Sequence, residues 1–350
     1  MRSFADLDRS IGRVPGSVVT ALRTVDTGRG SEALYRDQLP GLLSQLADRA
    51  RVASITASSA IEGIVVSDGA RADRILAGRV TNLRNRSEQE LAGYRDAQDY
   101  LFQRPWQPLN SGLLLHLHRL LFAHTAAEGG QFKHEDNLVV DRAASGELTI
   151  RFRPVRASDT PFFVAELIDR YRAEVAAQHH HPVLLVGLFA LDLLVIHPFE
   201  DGNGRVTRAL TNALLMDVGY SVPRYVSLEQ QIASSADTYY RTLLESTHSW
   251  HDGQADSWPW LSYFVDILAA GYRTFAERAA SDRADGSKQD RVRDYVLNHA
   301  PVTFRVADIR TALPGVSDPT IRVTLDRLRR EGAIASEGLG RAASWRRLPS

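Results

Sequence analysis

Twelve consecutive residues carry most of the recognisable chemistry of this sequence. They run from His197 to Arg208 and read HPFEDGNGRVTR. Two glycines precede a predicted helix that opens at about Arg205, where main-chain N–H groups can converge on an anion and the helix dipole favours negative charge. Arg205 and Arg208 are three residues apart, so they share one helix face and could hold oxyanions from two directions.

Two further side chains of this segment suit the transfer of a phosphate-linked group. Asp201 offers a hard oxygen ligand that could hold Mg²⁺ against phosphates. His197 lies four residues earlier, and an imidazole can act as a general base near neutral pH. A base, a metal ligand, an anion-binding turn and two arginines within twelve residues predict phosphoryl or nucleotidyl transfer.

Other interpretations of the same segment are weaker. The spacing Gly202-x-Gly204-x-x-Thr207 imitates a dinucleotide fingerprint, but that fingerprint needs a preceding strand, and the run before it has the length of a helix. No GxxxxGK[ST] occurs, so a P-loop is excluded. A glycine-rich corner with a buried histidine would explain His197 or Arg208 alone, but not twelve positions in this order.

Composition limits the class of protein. The 350 residues are 44% hydrophobic and 24% charged, as in globular proteins of two or three domains. The 42 basic and 42 acidic residues cancel, so whole-chain charge does not favour a nucleic-acid or membrane partner. The absence of cysteine excludes disulfides, thiolate zinc sites and cysteine nucleophiles. The longest apolar run, 183–196, is too short to span a bilayer and no secretory signal is visible, which predicts a cytoplasmic protein.

Apolar spacing predicts a mainly α-helical fold that positions the segment. Apolar residues recur every three or four positions in most of the chain. A different pattern lies between residues 129 and 161, where 138–140 and 148–152 favour strands around an Ala144-Ser145-Gly146 turn, which predicts a β-hairpin. The predicted helices cover residues 39–62, 87–102, 113–124, 161–178, 183–196, about 205–218, 239–250 and 258–278.

The last part of the chain is predicted to form a separate unit. Residues 279–289 are polar and contain Gly and Ser, as linkers do. From residue 288 onward there are twelve basic and seven acidic residues, a net charge of +5. Helical patterns at 289–298, 306–313 and 318–331, followed by two β-leaning stretches around Gly338-Leu339-Gly340, resemble a winged helix-turn-helix that contacts DNA or a protein. The residues expected to face DNA are Thr320, Arg322, Thr324, Arg327, Arg341, Arg346 and Arg347.

The segment at 197–208 resembles the Fic family signature, HPFx(D/E)GNGRxxR, at every specified position. Its Gly-Asn-Gly-Arg form is similar to the nucleotidyl-transferring branch, whereas the Doc-like kinase branch usually has Ala-Asn-Lys-Arg. The hairpin at about 132–155 resembles the family's flap, and the resemblance covers roughly residues 35–275. It implies a Fic-type helical bundle with a small β-hairpin flap. The expected divisions are an N-terminal helical region (1–95), the Fic catalytic core (96–278), the linker (279–289) and a winged-helix domain (290–350).

The resemblance implies a protein adenylyltransferase, or AMPylator. His197 would deprotonate a Tyr, Thr or Ser hydroxyl of a target protein or of the chain itself. The hydroxyl would attack the α-phosphate of ATP and release pyrophosphate, with Mg²⁺ held by Asp201. The other implied roles are phosphate binding by Gly202, Asn203, Gly204, Arg205 and Arg208, a nucleotide pocket at Tyr239 and Tyr240, and target docking at Val139 and Val140.

A second stretch resembles the family's inhibitory motif, (S/T)xxxE(G/N). It begins at Ser58 and ends with Glu62 and Gly63. Ser58 and Glu62 are one helical turn apart and share a face. The resemblance implies an inhibitory helix at about 41–63 whose Glu62 pairs with Arg208, the arginine that the γ-phosphate needs. Because both motifs lie in one chain, autoinhibition without a separate antitoxin is predicted.

Other functions stay open at this point. The donor could be another nucleotide, such as UTP or a choline-nucleotide, because the phosphate motif does not read the base. Alternatively, the chain could be a DNA-binding regulator whose Fic core is a sensor, with DNA contact through residues 290–350. No membrane partner is expected, and the sequence leaves a homodimer open.

Overall fold

The computed structural model describes residues 3–38, 40–103, 105–142, 148–285, 288–337 and 344–348. The fold is mainly helical, as predicted. The helices of the described residues are α1 (Leu7–Ile11), α2 (Gly16–Gln38), α3 (Pro40–Ile61), α4 (Gly69–Leu76), α5 (Arg86–Gln103), α6 (Ser111–Phe122), α7 (Thr160–Ala177), α8 (Pro182–Ile196), α9 (Asn203–Asp217), α10 (Leu228–Ser234), α11 (Ala236–Thr247), α12 (Trp258–Asp285), α13 (Lys288–Asp294), α14 (Val306–Ala312) and α15 (Asp318–Arg330). The strands are β1 (Val139–Arg142), β2 (Leu148–Phe152), β3 (Thr303–Arg305), β4 (Ile334–Glu337) and β5 (Ser344–Arg347).

The core is built around α8, whose apolar sequence is buried on every side. Thirteen of its fifteen residues are buried, and α7, α9 and α12 pack against it. A helix that is apolar all round is stable only inside a protein core or a membrane. None of the described helices is both long and apolar enough to cross a membrane. The last turn of this central helix leads directly into His197.

Two helices cover α9 on the side of the signature segment. α3 packs against α5, α9 and α10, and α5 packs against α6 and α9. On the inner face of α3, Leu43, Leu46 and Ile55 are buried. Gly63 follows the helix with a φ of 75°, the left-handed conformation in which glycine commonly ends helices. The end of α3 therefore lies near the start of α9.

The predicted flap is an antiparallel hairpin of β1 and β2. Val139 lies opposite Phe152, and the register shifts between Val139 and Val140. β2 contacts α11, so the hairpin stands beside the end of α8 and the face of α11. The predicted turn at 144–146 lies outside the described residues.

The last part of the chain has its own hydrophobic core, which includes Val292, Phe304, Ile309 and Leu325. Helices α13, α14 and α15 pack with a three-stranded antiparallel sheet in the order β3-β5-β4. The three helices and the two strands β4 and β5 match the predicted elements, whereas β3 was not predicted. The predicted turn at 338–340 lies outside the described residues.

Two sequence predictions about the last part of the chain differ from the structure. α12 continues to Asp285, so most of the predicted linker is helical; polar composition suggested a loop, but Ala and Arg favour helices. The predicted limits of the catalytic core, at 95/96 and 278/279, stay predictions; they fall inside α5 and α12. Thr324 is fully buried, because it follows Ile321 by three residues and so lies on the core face of α15. Its hydroxyl donates to the Thr320 carbonyl. The prediction that Thr324 faces DNA is wrong.

Ion pairs occupy several arginines of this unit. Arg310 pairs with Asp318, Arg327 lies near Glu331, and Arg346 pairs with Glu337. The net charge of +5 already includes these carboxylates, but the ion pairs engage Arg327 and Arg346, two of the arginines expected to face DNA. Arg341 lies outside the described residues. DNA contact therefore stays a prediction from the sequence.

Candidate active site

A cavity of about 460 Å³ opens between the end of α8, the start of α9, α11 and the flap. Its size suits a small-molecule ligand. His197, Gly204 and Arg208 of the signature segment line it, together with Glu62 from the end of α3. The other predicted site residues in its wall are Val139, Val140, Tyr239 and Tyr240. Packing thus joins the predicted base, anion site, flap and inhibitory residue in one place.

The ring of His197 is held at one nitrogen. Nδ1 lies 3.2 Å from the carbonyl oxygen of Leu194. A carbonyl only accepts, so Nδ1 carries the proton and Nε2 keeps its lone pair. Burial is the main cause that lowers the pKa of His197 to about 4, so the ring is neutral at neutral pH. His197 also caps α8 in the left-handed conformation, with a φ of 51°. Such strained backbones in residues other than glycine cluster at functional sites.

Asn203 braces the turn that leads into α9. Its Oδ1 accepts from the Phe199 main-chain N–H at 2.9 Å, and its Nδ2 donates to the Phe199 carbonyl at 2.7 Å. Gly202 has a φ of 81°, and a Cβ there would lie 2.6 Å from Leu121 Cδ2, so the turn requires glycine. α9 begins at Asn203, two residues before the predicted start, and Gly204 in its first turn lines the cavity. The positive end of the helix dipole therefore faces this space.

A network of charges surrounds Asp201, which is not among the residues that line the cavity. The Asp201 side chain is 54% exposed, and Arg86 Nη2 lies 3.0 Å from its Oδ2. Arg205 is buried, and its Nη1 donates to Glu90 Oε2 at 2.6 Å while its Nη2 lies 3.4 Å from Asp201 Oδ1. Arg86 also pairs with Glu90. The structure thus places Arg205 beneath the turn, between two carboxylates, where it orients Asp201.

Arg208 is bound by the last turn of α3. Its Nε donates to Ser58 Oγ at 2.8 Å, and its Nη2 donates to the Ser58 carbonyl at 3.0 Å and to Glu62 Oε1 at 2.8 Å. Burial opposes the charge of Arg208, but Glu62 raises its pKa above the ordinary value, so it stays a cation. A Cβ on Gly204 would lie 2.2 Å from Glu62 Oε1. The carboxylate therefore lies over the first turn of α9 as well as on Arg208.

Sequence analysis did not single out several residues that support this site. His118 of α6 accepts from the Gly130 N–H at Nδ1 (2.9 Å), and its Nε2 lies 3.2 Å from the Asp201 carbonyl. Its ring stacks on Phe199 with centroids 4.0 Å apart. Burial lowers the pKa of His118 to about 4, so the neutral ring donates from Nε2. A histidine within an apolar helix was its only sequence signal; nothing local marks Glu90 or Arg86.

Two tyrosines of α11 form an aromatic wall of the cavity. Tyr239 is buried and lies edge-on to Trp260, with ring centroids 5.9 Å apart. Tyr240 lies under the guanidinium of Arg151 from β2, 4.6 Å from Cζ to the ring centroid. Burial raises the pKa of Tyr240 to about 12, so its phenol is neutral. These aromatic rings and the Arg151 cation offer a surface for a flat, polarisable group such as a nucleobase.

The carboxylate of Asp201 fits magnesium better than a tightly held transition metal. Among the described residues, no group of three or more His, Asp and Glu is placed to hold a metal ion. Magnesium usually keeps several waters and binds through one or two carboxylates plus substrate phosphates. The single, half-exposed carboxylate of Asp201 beside an anion-binding turn fits an ion that arrives with a nucleotide.

Comparisons with known proteins agree with this geometry. The profile of the Fic/DOC family matches residues 108–215. A protein adenylyltransferase Fic from Drosophila virilis is 33% identical over 137 residues, which are 37% of this chain and 25% of that protein. Its counterpart from Drosophila yakuba is 34% identical over 134 residues, 37% of this chain and 23% of that protein. The matches thus span about a quarter of the length of these curated relatives.

Solved structures share the fold at low sequence identity. A Fic family protein from Desulfovibrio desulfuricans G20 has a TM-score of 0.64 and 21% identity, with 97% of this chain and 98% of that chain covered. A Fic domain-containing signaling protein from Bacteroides thetaiotaomicron VPI-5482 has a TM-score of 0.60 and 21% identity, covering 76% of this chain and 97% of its own. The profile match contains the whole signature segment, and the fold agrees over nearly the full chain. This chain therefore contains a Fic/DOC family domain at residues 108–215, and its fold is that of solved Fic family structures.

Proposed function

We propose that this protein is an autoinhibited protein adenylyltransferase, which transfers AMP from ATP to a Tyr, Thr or Ser hydroxyl of a protein. One observation carries the proposal. The unprotonated Nε2 of His197 shares a cavity with Arg208 and the anion-attracting start of α9. A base beside an anion site is what the activation of a hydroxyl against a phosphate requires. The Drosophila relatives are named protein adenylyltransferases, which agrees.

In the proposed reaction the target hydroxyl oxygen attacks the α-phosphorus of ATP. The new O–P bond forms as the bond from the α-phosphorus to the oxygen that bridges to the β-phosphate breaks. Pyrophosphate leaves, and AMP stays on the target. His197 Nε2 takes the hydroxyl proton, because Nδ1 is already engaged by the Leu194 carbonyl.

The same cavity suggests a place for each part of the donor. The α- and β-phosphates would lie at the start of α9, near Gly204, and the γ-phosphate would pair with Arg208. Asp201 would hold Mg²⁺, which neutralises charge on the phosphates. Tyr239 and Tyr240 would contact the base. Arg205 and Asn203 would act indirectly, because their side chains brace the turn.

Autoinhibition follows from the position of Glu62. Its carboxylate binds Arg208 and covers Gly204, two groups that a triphosphate would need. A hydrogen bond between charged groups contributes about 1.5 to 3 kcal/mol, which is on the order of a ten- to hundredfold bias against a competing anion. Because the flap strand β1 brings Val139 and Val140 to the cavity mouth, an extended target segment would lie along it.

Label transfer from ATP to protein tests the proposal directly. With α-labelled ATP and Mg²⁺, we expect Glu62→Gly to raise incorporation on the order of ten- to hundredfold over the wild type. His197→Ala in the Glu62→Gly background should abolish it. Glu128→Gly, the same change in an exposed loop, serves as the matched control and should resemble the wild type. Incorporation that survives loss of His197, or Glu62→Gly activity equal to the control, would contradict the assignment concerned.

Intact-mass spectrometry separates this function from its alternatives. A gain of one AMP by Glu62→Gly or by an added protein supports adenylylation. A uridylyl adduct or a phosphocholine adduct would identify a different donor, and transfer of label from the γ-phosphate would indicate a kinase. If no nucleotide modifies any protein while ATP still binds, the sensor interpretation gains instead.

A further inference from the structure

Lys133 is a buried lysine at the base of the flap that the proposed reaction does not use. It is 4% exposed. Its Nζ donates to the carbonyl oxygen of Ile196 at 3.1 Å and to Asn137 Oδ1 at 2.9 Å. Its main-chain N–H donates to the carbonyl oxygen of Pro198 at 2.9 Å. One residue therefore binds the main chain on both sides of His197.

Asn137 adds a third contact to the same turn. Its Nδ2 donates to the carbonyl oxygen of Phe199 at 3.0 Å. The end of a helix leaves carbonyls without helical partners, and its dipole favours a cation there. His197 has a left-handed backbone, which is unfavourable outside glycine and persists only where other contacts enforce it. Lys133 and Asn137 supply such contacts.

We propose that Lys133 and Asn137 are positioning residues for the general base, holding the turn that carries His197 and joining it to the base of the flap. β1 begins at Val139, two residues after Asn137. The strand expected to guide the target and the turn that carries the base are thus connected through one short segment, residues 133–137. The catalytic part of this inference rests on the proposed function, whereas the effect on the His197 ring does not.

The charge of Lys133 acts on the same ring. Burial is the main reason for the low pKa of His197; Lys133 lowers it further, and Glu62 and Asp201 raise it. Asp136 is the carboxylate that faces Lys133. Burial lowers the pKa of Lys133 to about 8, so at neutral pH it is a cation and helps to keep His197 unprotonated.

NMR titration of the nucleotide-free protein tests the contact without any assay of transfer. The chain has only two lysines, Lys133 and Lys288, so lysine-labelled protein gives two signals, and Lys288→Arg identifies the other. We expect Lys133 to titrate near pH 8. In Lys133→Met the pKa of His197 should rise, because a repelling cation is removed. Lys288→Met, the same substitution at an exposed position, should leave it unchanged. An unshifted His197 in Lys133→Met would overturn the proposal.

Transfer assays in the Glu62→Gly background test the positioning role. Lys133→Met and Asn137→Ala should lower kcat on the order of ten- to a hundredfold, because a displaced base loses alignment with the hydroxyl. Affinity for ATP, measured by thermal shift, should stay near that of Glu62→Gly. Lys133→Arg, which keeps the charge, should restore most of kcat. A matched loss of ATP affinity and kcat, or no recovery with arginine, would indicate a merely structural lysine and overturn the proposal.

The two proposals fail in different ways. If Glu62→Gly transfers nothing, the proposed function fails, yet the His197 titration still decides whether Lys133 acts on the ring. If Lys133→Met does not fold, Asn137→Ala removes the bonds to Lys133 Nζ and to Phe199 without burying an apolar chain in place of a cation. A folded Asn137→Ala with unchanged kcat would then overturn the positioning role.

Discussion

At the residue scale, one guanidinium is held by three acceptors from a single helical turn. Arg208 binds the hydroxyl and the carbonyl of Ser58 as well as the carboxylate of Glu62. Ser58 is fully buried, so water does not compete for its bond. The Glu62 side chain is 32% exposed, and solvent screens its charge in part. In the proposed autoinhibition, the restraint on Arg208 would therefore be shared between a buried hydrogen bond to Ser58 and a partly solvated ion pair with Glu62.

Ser58→Ala tests this division. The variant loses the bond to Arg208 Nε but keeps the carbonyl and Glu62, so we expect a partial release of inhibition. Incorporation from α-labelled ATP should rise several-fold, on the order of 1 kcal/mol, and stay below that of Glu62→Gly. Ser59→Ala is the matched control, because its buried hydroxyl has no hydrogen-bond partner among the described residues. Equal activation by both serine variants would indicate general loosening of α3 instead.

At the element scale, a buried carboxylate, that of Glu229, links α3 to the core through hydrogen bonds. Glu229 in the first turn of α10 is 1% exposed. It accepts hydrogen bonds from Ser54 of α3 and, at 2.7 Å, from Asn212 Nδ2 of α9. The helix that leads to Glu62 is thus joined to the helix that carries Arg208 by a second contact, one helical turn from the bonds between Ser58 and Arg208. Docking of α3 and closure of the site should be coupled.

Ser54→Ala tests the coupling. The variant removes a hydrogen-bond donor to the buried Glu229 carboxylate. The free energy that holds α3 against the core should fall on the order of 1 to 3 kcal/mol. We expect faster hydrogen exchange in residues 40–63 and a rise in basal transfer, although Glu62 and Arg208 are untouched. Ser44→Ala, an exposed position on the same helix, should change neither. Faster exchange without a rise in transfer would show that docking and inhibition are independent.

The elements also show what local sequence can predict. The long helices α3, α5 and α8 were predicted within about two residues, because apolar spacing is a local property. β3 has only three residues and pairs with β5, about forty positions later, so no local pattern marks it. The end of α12 was missed because polarity suggested a loop where helix propensity prevailed.

At the scale of the whole molecule, the site likewise has a part that local sequence predicts and a part that it does not. Its anion turn and base lie in one continuous segment, so their types and spacing predict the chemistry. The pairing of Glu62 with Arg208 joins residues 146 positions apart and was predicted only through the family resemblance. Glu90, His118 and Lys133 reach the segment from α5, α6 and the base of the flap. Only tertiary packing brings them there, so sequence spacing gave no signal for their roles.

A buried carboxyl group also joins three distant parts of the chain. Asp192, in the middle of α8, is fully buried, and its Oδ1 accepts from Ser3 Oγ and from Trp250 Nε1, each at 2.6 Å. Burial raises the pKa of Asp192 from 3.8 to about 7. The folded protein thus keeps this proton to a much higher pH than the unfolded chain does.

Asp192→Asn tests the linkage between this proton and stability. The stabilisation from a raised carboxyl pKa is complete below about pH 4 and is lost as the pH rises to about 7. Asparagine keeps an acceptor for Ser3 and Trp250 but cannot ionise. We therefore expect the free energy of unfolding of the variant, relative to wild type, to increase steadily from pH 4 to 7 and then level off. Buried histidines such as His118 lower the free energy of unfolding at acid pH, but they do so equally in the variant and the wild type. Their effect therefore cancels in the difference between the two proteins. Denaturant titrations across this range measure it, and a pH-independent difference would show that Asp192 is already ionised in the folded protein.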